Sequence, residues 1–216
     1  MTQAQSFIHR FEPGRRPDAP PLLLLHGTGG DEADLLPLGR AVAPGSALLS
    51  PRGKVLEAGM PRFFRRLREG VFDEADVQAR AHELADFVAE ARAVYGLMAP
   101  VALGFSNGAN IAAATLLLRP EALAGAVLLR AMVPLSDAPA ADLRGKPILL
   151  LSGRMDPIVP AENAARLAGM LAEAGAAVQH QILPTGHGLS QADVATTSAW
   201  IRELAAASPD SARQAG

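Results

Sequence analysis

Short apolar runs alternate along the chain with longer segments of helical period. The runs have the length of β-strands, and most of them are apolar throughout, which is typical of parallel strands covered by helices on both faces. Strands are predicted at 5–11, 22–25, 47–50, 101–105, 125–129, 148–151 and 177–183, and helices at 35–42, 74–95, 107–118, 161–174 and 191–206. Such alternation requires crossover connections, so the pattern predicts a three-layer α/β domain with a mostly parallel sheet.

The clearest helix spans residues 74–95. Its apolar positions recur at intervals of three and four residues and form one stripe. They are Val77, Ala81, Leu84, Val88, Ala91 and Tyr95. Asp73 is placed to cap the start of this helix and Gly96 to cap its end.

Two long connections interrupt the alternation. Residues 52–72 hold five arginines and three of the nine aromatic residues. A connection of this length is usually functional, as a lid or a pocket wall; the alternative is a surface excursion with its own small cluster. Residues 130–146, with Pro134, Asp137 and Pro139, are expected to line a cleft at the carboxyl ends of the strands. We expect one domain over residues 1–207, with 52–72 as an insertion near the functional site, and a flexible tail over 208–216.

Composition narrows the classes of function. The chain has 216 residues, 49% of them apolar, with a net charge of −2 and no cysteine. Because it has no basic excess, neither nucleic acid nor a membrane surface is an expected partner. Any nucleophile must be a residue type other than cysteine. The uncharged stretch 93–118 is broken by Gly96, Pro100 and Gly104 into a strand and a helix rather than a membrane span. The first residues do not resemble a signal peptide, so a cytoplasmic location is expected.

Ser106 is the candidate nucleophile. Residues 104–108 read Gly-Phe-Ser-Asn-Gly, between an apolar strand and the helix that begins near Asn107. A serine at the tip of a sharp strand-to-helix turn needs residues with almost no side chain two positions before and after it, and Gly104 and Gly108 meet this need. The flanking strand and helix distinguish the motif from a plain glycine-rich turn.

A serine needs a general base, and His187 is the best candidate among five histidines. It lies in the sequence Pro-Thr-Gly-His-Gly at 184–188, a glycine-flanked loop between the last strand and the last helix. This position predicts that His187 lies at the carboxyl edge of the sheet beside Ser106. The other histidines are His9 and His180 within predicted strands, His26 at the end of a strand and His82 on the long helix.

Asp156 is the predicted partner of this base. It follows a strand at the same edge of the sheet, and Pro157 after it keeps the chain extended. Asp137 is the second choice. A carboxylate in this position orients the imidazole and stabilises its cation. The order Ser106, Asp156, His187 is the order in which α/β-hydrolases carry a serine triad.

Backbone amides are the predicted donors to the oxyanion of the reaction. Residues 26–30, His-Gly-Thr-Gly-Gly, follow the second strand directly, and the Asn107 amide begins a helix. A dinucleotide-binding loop would need glycine where Glu32 stands, and a zinc protease would need histidine where Asp86 follows His82. We therefore expect neither a metal nor a cofactor.

Four pieces of the sequence resemble one protein family. They are HGTGGDEADL at 26–35, PRGKVLEAGMPRFFRRLREGVFD at 51–73, GFSNGAN at 104–110 and GRMDPIVP at 153–160. The chain resembles the small single-domain α/β-hydrolases of the carboxylesterase and phospholipase group, which includes acyl-protein thioesterase-like enzymes, and within it the bacterial hydroquinone-response carboxylesterases. The resemblance implies Ser106, Asp156 and His187 as the triad, the amides of Thr28 and Asn107 as the oxyanion hole, and a homodimer.

The predicted function is that of a serine carboxylesterase that hydrolyses short- to medium-chain esters through an acyl-enzyme intermediate. The alternatives are a thioesterase, a lysophospholipase-type hydrolase or an acyl transferase with the same residues, and a non-catalytic binding protein of the same fold. Two sets of apolar side chains are candidates for the substrate pocket, although core packing explains them equally well. They are Met60, Phe63 and Phe64 from the first long connection, and Met132, Val133 and Leu135 from the second. The arginines at 62–68 either attract an anionic group of the substrate or face water.

Overall fold

A seven-stranded sheet forms the centre of the molecule. The computed structural model describes residues 7–16, 19–137 and 139–207. The predicted tail 208–216 and the first two residues of the predicted strand 5–11 lie outside this part of the chain.

Eleven strands and five α-helices make up the described elements. The strands are β1 (His9–Glu12), β2 (Leu22–Leu25), β3 (Leu48–Pro51), β4 (Val55–Glu57), β5 (Met60–Arg62), β6 (Arg66–Arg68), β7 (Val71–Phe72), β8 (Val101–Phe105), β9 (Gly125–Leu129), β10 (Pro147–Gly153) and β11 (Ala177–Leu183). The helices are α1 (Leu36–Val42), α2 (Glu74–Tyr95), α3 (Asn107–Leu118), α4 (Ala161–Glu173) and α5 (Gln191–Ala206). A single 3₁₀ turn covers Pro120–Ala122.

The order of strands in the central sheet is β1-β3-β2-β8-β9-β10-β11. β1 pairs with β3 in the antiparallel direction, and the other pairs are parallel. This is the doubly covered, mostly parallel sheet that the sequence predicts, in the α/β-hydrolase arrangement and in one domain. Because the strands are parallel, their carboxyl ends meet at one edge, and the connections that follow β2, β8, β10 and β11 lie close together there.

The strand β2 explains how the sheet is covered on both sides. Its four leucines are fully buried, and successive side chains point to opposite faces. Leu22 and Leu24 pack in a cluster with Trp200 of α5, whereas Leu23 and Leu25 pack in the larger cluster with α2, α3 and α4. The continuous apolar run is therefore divided between two cores.

The caps of α2 are those that the sequence predicts. The carboxylate of Asp73 accepts a hydrogen bond from the Asp76 amide at 3.2 Å, and Gly96 ends the helix in the left-handed conformation at φ 66°. The residues of the predicted stripe from Val77 to Ala91 are buried, and Tyr95 stacks on Phe11 at the end of the helix. Capping and periodicity thus agree over the whole length of the helix.

Residues 52–72 differ from the predicted long connection, because they form two β-hairpins. We call this segment the double hairpin. β4 pairs with β5, and β6 pairs with β7. The first hairpin turns at Ala58 and Gly59, which both have positive φ, as a two-residue hairpin turn requires. Strands of two or three residues are too short to give a periodic signal, which is why the sequence pattern does not reveal them.

The uncharged stretch 93–118 forms the end of α2, the strand β8 and the helix α3. Within the described ranges, no helix is both long enough and apolar enough to cross a membrane.

Candidate active site

Ser106 lies on the sharp turn between β8 and α3. Its backbone has φ 51° and ψ −112°, a strained conformation for a residue with a side chain. The turn brings α3 very close to the sheet: a Cβ on Gly104 would lie 2.6 Å from backbone atoms of Ala109 and Gly108. A Cβ on Gly108 would lie 1.9 Å from the carbonyl oxygen of Leu25. Only glycine fits at these two positions, as the motif predicts.

His187 connects Ser106 to Asp156 through its two ring nitrogens. Nε2 lies 3.1 Å from Ser106 Oγ, and Nδ1 lies 2.8 Å from Asp156 Oδ2. When Nδ1 carries the ring proton, it donates a hydrogen bond to the Asp156 carboxylate. Nε2 then accepts a hydrogen bond from the serine hydroxyl. The Asp156 side chain is fully buried, and its Oδ1 accepts the amides of Ile158 and Val159 at 2.8 and 3.0 Å. The carboxylate is thus fixed by its own loop while its second oxygen orients the imidazole.

The competing residues lie away from this contact. His9 bonds to Tyr95, His180 bonds to Ser152, and His82 is exposed on α2. Asp137, the second choice for the carboxylate, is also exposed.

His26 is fully buried, directly after β2. Its Nε2 accepts the Gly53 amide at 2.9 Å, so the imidazole is neutral and its Nδ1–H donates to the Gly27 carbonyl at 2.7 Å. Burial lowers the pKa of His26, because a charged imidazole would be deprived of water there.

Thr28 and Asn107 line the same cavity as Ser106. In the loop after β2, the Gly29 amide donates to the Pro61 carbonyl and the Gly30 amide to the Gly27 carbonyl. Among the described residues, the Thr28 and Asn107 amides have no hydrogen-bond acceptor. The two predicted oxyanion donors are therefore available to a ligand beside Ser106.

The double hairpin fixes both of these donors in place, a relationship that the sequence does not indicate. The Phe63 amide donates to Asn107 Oδ1 at 2.7 Å, and Arg62 Nη1 donates to Thr28 Oγ1 at 2.7 Å. Together with the bonds from Gly53 to His26 and from Gly29 to Pro61, these contacts join the hairpins to the loop after β2 and to the start of α3.

Arg130 has a structural role that the sequence does not indicate. Its side chain is fully buried, and its backbone has φ 58°. The guanidinium forms a bidentate ion pair with Asp193 at 2.8 and 2.9 Å. It also donates to the Gly186 carbonyl at 2.9 Å, to Thr185 Oγ1 at 2.9 Å and to the Gly188 carbonyl at 3.3 Å. These acceptors flank His187 on both sides, so Arg130 holds the loop that carries the imidazole.

The cavity beside Ser106 has a volume of about 150 Å³. Of the predicted pocket residues, Met132 lines it. Phe63, Phe64 and Leu135 are instead buried in the core, where Phe63 packs on His26 and Phe64 packs on Phe72. Met60 lies outside the cavity at 41% exposure, and half-buried Val133 packs against the core. The apolar pattern alone does not distinguish a core residue from a pocket residue. For this reason, most of the predicted pocket residues lie elsewhere in the structure.

The other lining residues include both polar and apolar side chains. They come from the double hairpin, from α3 and from the loops after β9 and β10. These residues are Arg62, Arg66, Glu69, Gly70, Phe72, Asn110, Arg130, Ile158 and Val159.

The fold and this site define a serine hydrolase of the α/β-hydrolase class. The chain belongs to the phospholipase/carboxylesterase family, whose model matches residues 8–205, and it is an enzyme that hydrolyses ester bonds. Over 197 residues, the chain is 43% identical to MhqD of Bacillus subtilis (strain 168), and the match covers 90% of this chain and 98% of that protein. These findings confirm the family that the sequence motifs resemble.

Two solved structures extend the comparison. A Bacillus cereus carboxylesterase is 44% identical with a TM-score of 0.90, and the match covers 92% of this chain and 95% of that one. YahD, solved with malic acid, is 30% identical with a TM-score of 0.84, over 90% of this chain and 97% of that one.

Proposed function

We propose that the protein hydrolyses short-chain carboxylic esters through an acyl-enzyme formed on Ser106. The observation that carries this proposal is the hydrogen-bonded series in which His187 lies between Ser106 Oγ and Asp156 Oδ2, at 3.1 and 2.8 Å. A serine hydroxyl is a weak nucleophile until an oriented base accepts its proton.

The first half of the reaction forms the acyl-enzyme. His187 Nε2 takes the proton from Ser106 as Oγ attacks the ester carbonyl carbon. The amides of Thr28 and Asn107 donate to the oxygen that becomes negative. His187 then gives the proton to the alcohol oxygen, the bond between that oxygen and the carbonyl carbon breaks, and the alcohol leaves.

The second half of the reaction releases the acid. A water molecule gives a proton to His187 as its oxygen attacks the acyl carbon. The tetrahedral intermediate collapses, His187 returns the proton to Ser106 Oγ, and the carboxylic acid departs. Asp156 keeps the imidazole in the required tautomer and stabilises its cation in both halves.

The size of the cavity favours short acyl groups over long ones. Its volume of about 150 Å³ corresponds to about five water molecules at roughly 30 Å³ each. The similar protein YahD was solved with malic acid, a small molecule of this size range. A long-chain lysophospholipid would have to leave most of its acyl chain outside this volume.

Covalent labelling tests the proposal most directly. We expect a fluorophosphonate to add once to the intact protein, as measured by mass spectrometry, and not at all to the Ser106→Ala variant. Ser136→Ala, which removes an exposed serine, is the matched control and should label like the wild type. Turnover of ethyl butyrate should fall about 10⁴-fold or more in Ser106→Ala. A Ser106→Ala protein that keeps a tenth of the activity would overturn the assignment.

A panel of esters from acetate to dodecanoate tests the predicted chain length. We expect kcat/KM to be highest for acyl groups of up to about six carbons. A maximum at long chains would favour the lysophospholipase-type alternative.

A cytoplasmic location and a homodimer complete the proposal. The homodimer is supported by the resemblance to the family. The expected substrate is a small ester, and the net charge of −2 supports no role in binding nucleic acid.

A further inference from the structure

The cavity beside Ser106 is lined by more positive charge than cleavage of a neutral ester requires. Three guanidinium groups line it, those of Arg62, Arg66 and Arg130. Arg130 is neutralised by its buried ion pair with Asp193. The positive charges that can attract a substrate are therefore those of Arg62 and Arg66, which both belong to the double hairpin.

Arg62 and Arg66 share a single carboxylate, that of Glu57. Arg62 Nε lies 3.2 Å from one carboxylate oxygen, and Arg66 Nη2 lies 2.8 Å from the other. Two cations beside one anion leave a positive charge that is not neutralised. Glu69 also lines the cavity, but it is exposed, so water and salt screen its charge.

Arg62 is held rigidly where a ligand would meet it. Its side chain is only 3% exposed, and it donates to the Phe64 carbonyl and to Thr28 Oγ1. Burial lowers the pKa of Arg62, because its charge is deprived of water. An anion bound in the cavity would supply the stabilisation that water does not.

Two asparagines belong to the same lining. The Oδ1 atoms of Asn107 and Asn110 already accept the amides of Phe63 and Met132 at 2.7 Å each. The Nδ2 of Asn107 is buried and has no hydrogen-bond partner among the described residues. A buried donor without a partner is unusual. An ionised carboxylate only accepts hydrogen bonds, so it matches the guanidinium donors of Arg62 and Arg66 that line the cavity.

We propose that this cavity is a subsite for a carboxylate of the substrate, so that the preferred substrates are half-esters of short dicarboxylic acids. The volume of the cavity limits the acyl chain between the two carboxyl groups to a few carbons. This inference rests on the proposed ester hydrolysis at Ser106 and adds the substrate class to it.

Two esters of the same shape test the subsite in the wild-type protein. They are ethyl hydrogen succinate and ethyl 4-methylpentanoate, in which two methyl groups replace the two carboxylate oxygens. We expect kcat/KM for the half-ester to be about tenfold higher or more at low ionic strength. The preference should shrink as sodium chloride is raised to about 1 M, because salt screens the attraction. Equal or faster hydrolysis of the neutral ester would overturn the subsite and leave the proposed function intact.

Two arginine variants identify the groups responsible. Arg66→Met removes a cation from the cavity lining, whereas Arg68→Met removes an exposed one on the same strand. The preference for the half-ester should fall about fivefold or more in Arg66→Met and stay within about twofold of the wild type in Arg68→Met. An equal loss in both variants would mean that general charge attraction, not a subsite, sets the preference. If neither ester is hydrolysed and the folded protein forms no fluorophosphonate adduct, the proposed function is overturned instead.

Discussion

Arg130 and Asp193 form an ion pair that is completely buried, with side-chain exposures of 0% and 1%. Asp193 also closes the capping box of α5 by accepting the Ser190 amide at 2.8 Å. The guanidinium reaches from the end of β9 to the loop that carries His187 and to the first turn of α5. One ion pair thus determines where His187 lies relative to the helix that follows it.

Arg130→Lys tests this positioning role. Lysine keeps a charge opposite Asp193 but cannot reproduce the planar fork that also reaches Gly186, Thr185 and Gly188. We expect kcat for ethyl butyrate to fall about tenfold or more, because the imidazole is less well placed, while KM stays close to that of the wild type. Steady-state kinetics give both values, and Arg154→Lys, an exposed arginine in the Asp156 loop, is the control. A change in KM alone would contradict positioning of the base.

Asp156→Asn tests the orientation of the imidazole. The amide oxygen can still accept the amides of Ile158 and Val159, so the loop should keep its shape. The new NH₂ group would face His187 Nδ1 and force the proton onto Nε2, where it blocks acceptance of the serine proton. We expect kcat to fall about 10⁴-fold. Asp137 is the exposed residue that the sequence offers as the second choice for the carboxylate. Asp137→Asn should therefore keep full activity. Loss of activity in Asp137→Asn but not in Asp156→Asn would mean that Asp137 is the partner of His187.

Glycine at 108 is required by space, whereas glycine at 169 is not. Gly108→Ala would place a Cβ 1.9 Å from the Leu25 carbonyl oxygen, and Gly169→Ala on α4 meets nothing within 4 Å. We expect Gly108→Ala to lose activity and to unfold at a lower temperature. The free energy of unfolding of Gly169→Ala should be about 0.5–1 kcal/mol higher than that of the wild type, because alanine stabilises a helix more than glycine does. Thermal unfolding followed by circular dichroism measures both effects, and a Gly108→Ala protein as stable as the wild type would contradict the close approach of α3.

His26 makes the stability of the protein depend on pH. Burial holds its pKa below that of the unfolded chain, so unfolding takes up a proton. The stability that the neutral His26 contributes is fully present above the ordinary histidine pKa of about 6.5 and is lost as the pH falls below it. Burial lowers the pKa of His180 in the same direction.

Urea unfolding at several pH values between about 5 and 8 measures this dependence. One proton corresponds to a slope of about 1.4 kcal/mol per pH unit at most. We expect a shallower slope in His26→Gln and an unchanged slope in His82→Gln, since His82 is exposed. Equal slopes in all three proteins would contradict a buried neutral His26.

The sheet could be predicted because most of its parallel strands are continuous apolar runs. Ser106, Asp156 and His187 could be proposed from the sequence because each lies in a connection that follows a parallel strand, at the edge where the carboxyl ends meet. The double hairpin could not, since its strands are two or three residues long.

The role of Arg130 was beyond sequence reasoning for another reason. Its partners in the His187 loop and in α5 lie 55 to 63 residues further along the chain, and no local pattern marks them. Phe63 and Phe64 show the converse: an apolar residue in a long connection fits a pocket or a core, and only packing decides. Here the core clusters include both rings.

The bonds from the double hairpin to Thr28, His26, Gly29 and Asn107 have a consequence for how the enzyme meets its substrate. To swing away, the segment would have to break several hydrogen bonds, two of them buried, and would displace the proposed oxyanion donors. We therefore expect that the double hairpin does not open as a hinged lid at an oil–water boundary. The rate should follow the concentration of dissolved substrate and show no jump when an ester passes its solubility limit and forms droplets.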